Sequence, residues 1–145
     1  MANEIVSSGA LIRNNVGHNI KLPGIPAYMD SIILNLLTNA INFRQPNKPL
    51  IVELDAYYLR NELIFYIKDN GWGIDLPQHR NELFDIYKTF HEPGISTKGT
   101  GLLLVKQKTY AMGARIEVKS EMNVGTVFKI HFRIPEFKRW GHGSY

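Results

Sequence analysis

The chain has 145 residues, enough for one domain with a core of its own, and its 44% hydrophobic and 21% charged content excludes a disordered class. With no cysteine it carries neither disulfides nor thiolate metal sites, which fits a reducing compartment. The net charge of +4 comes from scattered Lys and Arg without a basic run or recognition-helix pattern, so nucleic acid is not an expected partner, and no apolar run is long enough to span a membrane or read as a signal peptide.

Residues 1–25 show little periodicity. Ala10 to Arg13 and Asn19 to Leu22 read as short strands around a turn at Asn14-Asn15-Val16-Gly17. Pro23-Gly24-Ile25-Pro26 breaks the chain before the first helix, whose opening turn suits Pro26 and Asp30. That helix, from Ser31 to Arg44, organises the rest. Ile33, Leu36, Leu37 and Ala40 fall on one apolar stripe, and Asn35, Asn39 and Asn42/Phe43 fall on another side. Asparagine is a mediocre helix former because its amide competes for backbone hydrogen bonds. Repeated along one face of an apolar helix, it points to carboxamide oxygens aimed at a hard cation or a polar ligand. Gln45-Pro46-Asn47 ends the helix, since the residue before a proline avoids helical angles.

Leu50 to Tyr58 and Glu62 to Lys68 then read as strands, and the short Leu59-Arg60-Asn61 link makes them an antiparallel hairpin. The second strand delivers the chain into Asp69, a carboxylate followed by glycines, where a ligand pocket is to be expected. From Leu76 to Lys98 the period loosens, with a short helix from Gln78 to Phe84 and a long loop from Asp85 of the kind that serves as a lid. Thr100 to Met112 is the second helix, stopped by Gly113, with Leu102, Leu103 and Leu104 starting its buried stripe. Ala114 to Lys119 and Thr126 to Ile134 are strands joined by a Ser120–Gly125 turn, and Pro135 stops the last. The whole reads as a single domain over 1–145, with its core at about 10–135 and a short aromatic and basic tail at 136–145.

Three motifs recur in a fixed order: the asparagine helix, Asp69-Asn70-Gly71-Trp72-Gly73-Ile74 in the form D-x-G-x-G-I, and Gly99-Thr100-Gly101-Leu102 before a helix. Each glycine motif alone is weak, and the ordered set is specific. From about Pro26 to Pro135 it resembles the ATP-binding catalytic domain of sensor histidine kinases, within the wider family shared with gyrase, Hsp90 and MutL. The resemblance implies a Bergerat-type α/β sandwich: a mixed, mostly antiparallel sheet, helices on one face, and Mg-ATP between helix and lid.

It also implies roles. Asn39 is the expected principal Mg²⁺ ligand through its carboxamide oxygen, with Asn35 one turn earlier as second; Mg²⁺ needs few protein oxygens when phosphates and water complete its shell. Gyrase-like hydrolases have a glutamate base where Asn35 sits. An amide cannot take a proton near neutral pH, so Asn35 speaks for phosphoryl transfer rather than hydrolysis. Asp69 is expected to accept a hydrogen bond from the exocyclic amine of adenine, which rejects guanine. Gly71 and Gly73 let the backbone come close to the base, and Ile74 closes that motif. Gly99, Thr100, Gly101 and Leu102 offer backbone N–H groups and a helix N-terminus to phosphates, with Lys98 beside them. Asn42, Phe43 and Thr126 complete the implied nucleotide contacts, and Phe84, Tyr87 and Phe90 resemble the aromatic box of the lid.

The chain departs from the family pattern where Asn42 replaces a basic residue, Arg44 a Thr or Ser, Leu103 a glycine and Ala114 a second glycine. None of the five histidines, His18, His79, His91, His131 and His142, lies on a long heptad-patterned helix. The implied activity is transfer of the ATP γ-phosphoryl to a histidine on a separate dimerisation and phosphoacceptor domain, with a response regulator downstream. The place is the cytoplasm, as a free domain or as the cytoplasmic part of a membrane-bound sensor. A serine kinase of the anti-sigma-factor type and a degenerate nucleotide-binding interaction module are the alternatives.

Overall fold

The computed structural model describes residues 9–73 and 99–134. Along the chain these form β1 (Leu11–Asn14), α1 (Pro26–Asn42), β2 (Ile51–Leu59), β3 (Glu62–Asp69), α2 (Gly99–Ala111), β4 (Arg115–Glu121) and β5 (Gly125–Arg133). The strands make one five-stranded sheet in the order β1-β2-β3-β5-β4. β1 runs parallel to β2 and every other pairing is antiparallel. This is the mixed, mostly antiparallel sheet and α+β class that the sequence implies.

Strand periodicity decides which side of the sheet is covered. Val52, Leu54 and Ala56 of β2, Leu63, Phe65 and Ile67 of β3, and Phe128, Ile130 and Phe132 of β5 pack with Met29, Ile32, Leu36 and Ala40 of α1 and Leu102 and Val105 of α2 into one core. The other face carries Glu53, Asp55 and Tyr57, then Tyr66 and Lys68, then Lys129, in the alternation of an antiparallel sheet with one wet side. Register carries this further: Val52 pairs with Asp69, and Asp69 with Thr126. Two residues on from Ile67, Asp69 therefore points to the helix-covered side.

Several boundaries shift from expectation. α1 starts at Pro26, its fixed φ suiting the first helical position, and it ends at Asn42 with Phe43 as cap, short of Arg44. Asp30 lies beyond the first turn, which carries no acidic residue. The buried stripe of α1 is Met29, Ile32, Leu36 and Ala40, rotated from the expected one; Ile33 and Leu37 are only partly covered. Residues 19–22 form no strand: a turn closes there (Ile20 N–H to Gly17 O, 3.0 Å), and Ile20 and Leu22 pack partly buried against the core. The β2–β3 turn needs only Arg60-Asn61, Arg60 taking a left-handed φ of 56°. In α2 the buried positions are Leu102, Val105 and Thr109, so Leu103 is half-covered and Leu104 is 43% exposed. Three leucines in a row cannot all face one side of a helix. Gly113, at φ 72°, stops α2, and the Ala114 N–H reaches back to Thr109 O at 3.0 Å. Ser120, expected in a turn, belongs to β4 and pairs with Thr126.

Candidate functional site

Three described segments meet at one end of the sheet, on its helix-covered side: the C-terminal end of α1, the chain leaving β3, and the β4–β5 turn. The Trp72 N–H donates to Phe43 O at 2.9 Å, and the Asn123 N–H donates to Trp72 O at 2.6 Å. At their meeting point Gln45, 8% exposed, directs its Nε2 at Gly71 O (3.0 Å), Asn123 O (3.2 Å) and Asn70 O (3.5 Å). Asn70 braces the outer side, accepting from the Ile51 N–H at 2.8 Å and donating to Pro49 O at 3.1 Å.

Asp69 sits inside this frame. It is 7% exposed, and its Oδ1 accepts from the Gly71 N–H at 2.9 Å. Burial pushes its carboxyl up to about 6, against the opposing pull of the Gly71 and Thr126 backbone N–H groups. An acid held there at a cost, with no cation paired to it among the described residues, is suited to accept from a ligand donor. Thr126 is buried next to it, and its Oγ1 lies 2.8 Å from Ser120 Oγ.

The glycines of the motif are needed by the protein's own packing. A Cβ on Gly71 would stand 2.6 Å from Phe43 O. Gly73 has φ 78°, and a Cβ there would collide with Glu121 O. The Phe43 ring, 5% exposed, belongs to the hydrophobic core, and it is the Phe43 carbonyl that engages the loop.

On α1, Asn35 and Asn39 are half-buried one turn apart, and Asn42 is exposed. Asn35 Nδ2 lies 3.5 Å from Ser31 Oγ, which also accepts from Lys108 Nζ at 2.6 Å, so α2 is tied to α1 beside the asparagines. Among the described residues no group of three or more His, Cys, Asp or Glu is placed to hold a metal ion. Two neutral carboxamides fit Mg²⁺ only as a minority of its ligands, with phosphate oxygens and water supplying the rest. Gly99, Thr100 and Gly101 form the first turn of α2 rather than a loop before it, and helix N-termini carry backbone N–H groups with no intrahelical acceptor. Ile74, Lys98, Phe84, Tyr87 and Phe90, like the predicted helix at 78–84 and the lid, lie outside the described residues.

Two features escaped sequence reasoning. Gln45 looked like a helix stop, and its convergence on three carbonyls has no linear signal. On the wet face, His131 is 7% exposed between Glu62 (Nδ1 to Oε1, 3.2 Å) and Glu117 (Nε2 to Oε1, 3.1 Å), with Arg115 Nη2 3.2 Å from Glu62 Oε1. Only strand register reveals that grouping. A groove of about 610 Å³ opens at the Asp69 end of the sheet, lined by Asp69, Asn70 and Thr126 as well as by Glu53, Lys68 and Lys119 of the wet face. Among the described residues none of α1 or α2 lines it, so it reaches Asp69 and Thr126 without touching the asparagines.

Residues 24–136 match the family model described as histidine kinase-, DNA gyrase B-, and HSP90-like ATPase. Sensor protein SrrB of Staphylococcus aureus is 36% identical over 111 residues, which cover 74% of this chain and 18% of that protein. The chain thus spans less than a fifth of the length of that curated relative. Among solved structures, a mycobacterial sensor histidine kinase, MprB, superposes with a TM-score of 0.71 at 22% identity, covering 92% of this chain and 93% of that one. Full-length ShkA in complex with AMPPNP superposes with a TM-score of 0.70 at 24% identity, covering 93% and 28%. These two likenesses establish the fold, which is of the Bergerat type.

Proposed function

The chain belongs to the family of histidine kinase-, DNA gyrase B- and HSP90-like ATPases, and on that premise we propose that it is the ATP-binding catalytic domain of a two-component sensor histidine kinase. One observation carries the reading: a buried carboxyl at the end of β3, held by the Gly71 N–H on one oxygen, lies on the same side of the sheet as a helix bearing half-buried asparagines. Asp69 takes the adenine amine. Asn39 and Asn35 supply carboxamide oxygens to Mg²⁺, whose chemistry is to neutralise phosphate charge. The first turn of α2, with Lys98, receives the phosphates. Asn42, Phe43, Gly71, Gly73, Ile74, Leu102 and Thr126 complete the nucleotide contacts, and residues 10–135 act as one unit.

The γ-phosphoryl passes to a histidine on a separate dimerising helical domain, and from there to a response regulator. Two observations support an acceptor outside this catalytic unit. His131 lies on a strand, 7% exposed and enclosed by Glu62 and Glu117, and His18 is on an exposed turn rather than a helix. Asn35 in place of a carboxylate base disfavours hydrolysis. No helix among the described residues is long and apolar enough to cross a membrane, and the cytoplasm, where ATP is available, is the proposed place of action.

The test is incubation of the chain with γ-labelled ATP and Mg²⁺, with and without a dimeric acceptor domain. Acid-labile phosphohistidine on the acceptor alone is the expected result. Phosphoserine on an added protein would favour the anti-sigma-type kinase, and binding without transfer the interaction module. Phosphohistidine on this chain by itself would contradict the separate acceptor.

A further inference from the structure

Gln45 is a polar side chain that the nucleotide chemistry does not use, yet it is 8% exposed. A buried carboxamide is costly unless its hydrogens find acceptors. Here the Nε2 has three carbonyls within reach, at 3.0 Å (Gly71), 3.2 Å (Asn123) and 3.5 Å (Asn70). They belong to the chain after β3 and to the β4–β5 turn, and Gln45 itself follows α1, so one amide joins the segments that surround Asp69. The neighbouring bonds, Trp72 N–H to Phe43 O and Asn123 N–H to Trp72 O, run between the same segments. Gly71, whose carbonyl Gln45 holds, is also the residue whose N–H occupies Asp69 Oδ1 at 2.9 Å.

We propose that Gln45 is a positioning residue for base recognition: by fixing Gly71 it holds that residue's N–H on Asp69 Oδ1 and so orients the carboxyl to accept the amine of an adenine. The inference rests on the nucleotide-binding reading above. It says why an amide stands at the end of the asparagine helix rather than an apolar residue of similar length. Gln45→Met would keep the volume and leave the Gly71 and Asn123 carbonyls buried without their donor. The loop would then be free to withdraw the Gly71 N–H, and Asp69 would lose a hydrogen bond that favours its charged form. A residue acting only through stability would weaken the fold without touching the protonation of Asp69.

Adenosine, which has no phosphate and needs no metal, is the probe. Its affinity is measured by calorimetry from about pH 5 to 8 on the full chain, on Gln45→Met, and on Ile130→Ala, a core control on β5 that is fully buried. The Met variant is expected to lose about tenfold or more, the scale of one buried hydrogen bond, with the midpoint of its pH profile moved upward. The Ile130 variant should keep wild-type affinity and midpoint. A Met variant with unchanged affinity and profile, or a control that moves equally, overturns the proposal. Should Gln45→Met fail to fold, the wild-type side-chain NH₂ resonances of Gln45 decide. Slow exchange with solvent and a shift on adding adenosine support the role, whereas fast exchange and no shift overturn it. A wild-type chain that binds neither adenosine nor Mg-ATP defeats the nucleotide reading itself, before any variant is compared.

Discussion

Asp69→Asn should stabilise this protein while impairing its ligand site. In the folded chain the Asp69 carboxyl is pushed up from 3.8 to about 6 because burial disfavours its charge more than the Gly71 and Thr126 N–H groups favour it. A raised carboxyl means that the folded state binds its proton more tightly than the unfolded state does. The group is therefore least costly below about pH 4, where both states are protonated. Its cost grows as pH rises from about 4 to 6 and is constant above. A displacement of about two pH units corresponds to roughly 3 kcal/mol. Asparagine is neutral at every pH, and its carbonyl can still accept from the Gly71 N–H, which now lies 2.9 Å from Oδ1. The charge-assisted part of those bonds is lost, about 1 kcal/mol. The net expectation is a gain of about 1–3 kcal/mol at pH 8 and nearly none at pH 4, read as the difference between urea-unfolding curves of the two proteins without nucleotide. Groups that titrate alike in both proteins cancel in that difference. Adenosine binding should weaken in parallel, because the amide can turn its NH₂ toward the ligand donor. A stability difference that is absent at pH 8, or that does not change with pH, would refute the buried-carboxylate argument.

Asn39→Ala should weaken Mg-ATP by roughly 1–3 kcal/mol and leave metal-free adenosine nearly unchanged, measured by calorimetry with and without Mg²⁺; equal losses for both ligands would remove its role as a metal ligand. Gly73→Ala should destabilise by more than about 2 kcal/mol, since φ is 78° and the new methyl would meet the Glu121 carbonyl; a denaturant melt reads this directly. Leu103→Gly should cost about 2 kcal/mol, about 1 from helix propensity and the rest from lost partial burial, and should change ATP affinity less than about tenfold. Much tighter ATP binding with stability unchanged would show that Leu103 obstructs the phosphates.

Periodicity made most of the architecture readable, and where it misled, the cause is geometric. The patterns at 50–58, 62–68 and 126–134 predict strands, and short links make hairpins of β2–β3 and β4–β5, whereas the β3–β5 and parallel β1–β2 pairings join segments far apart in sequence and carry no such signal. The α1 stripe was misplaced by a rotation: the pattern Ile33, Leu36, Leu37, Ala40 satisfies helical spacing as well as Met29, Ile32, Leu36, Ala40 does, and only packing on β2, β3 and β5 selects between them. The same degeneracy hid the α2 stripe, where Thr109 is fully buried among apolar neighbours because its Oγ1 is satisfied within the helix by Val105 O at 2.7 Å. Pattern matching counts threonine as polar. The structure treats it as a small side chain that carries its own partner.

The site divides along a different line. Asp69 was legible because a carboxylate at a strand end, followed by glycines, concentrates chemistry within a few adjacent residues. Gln45 was not, because its partners are carbonyls, which every residue has and no sequence marks. What singles it out is that Gly71 O and Asn123 O, from segments more than fifty positions apart, come within 3.0 and 3.2 Å of one nitrogen. The glycines show the complementary case. Gly71 and Gly73 attracted notice as ligand-approach positions, and the atoms crowding their missing Cβ are Phe43 O and Glu121 O. They are glycines because two segments of the protein must pass close to the Asp69 loop, and that close passage is what brings Gln45 within reach of three carbonyls. The glycine motif and the glutamine are thus parts of one junction, and substitution at either should disturb the same carboxyl.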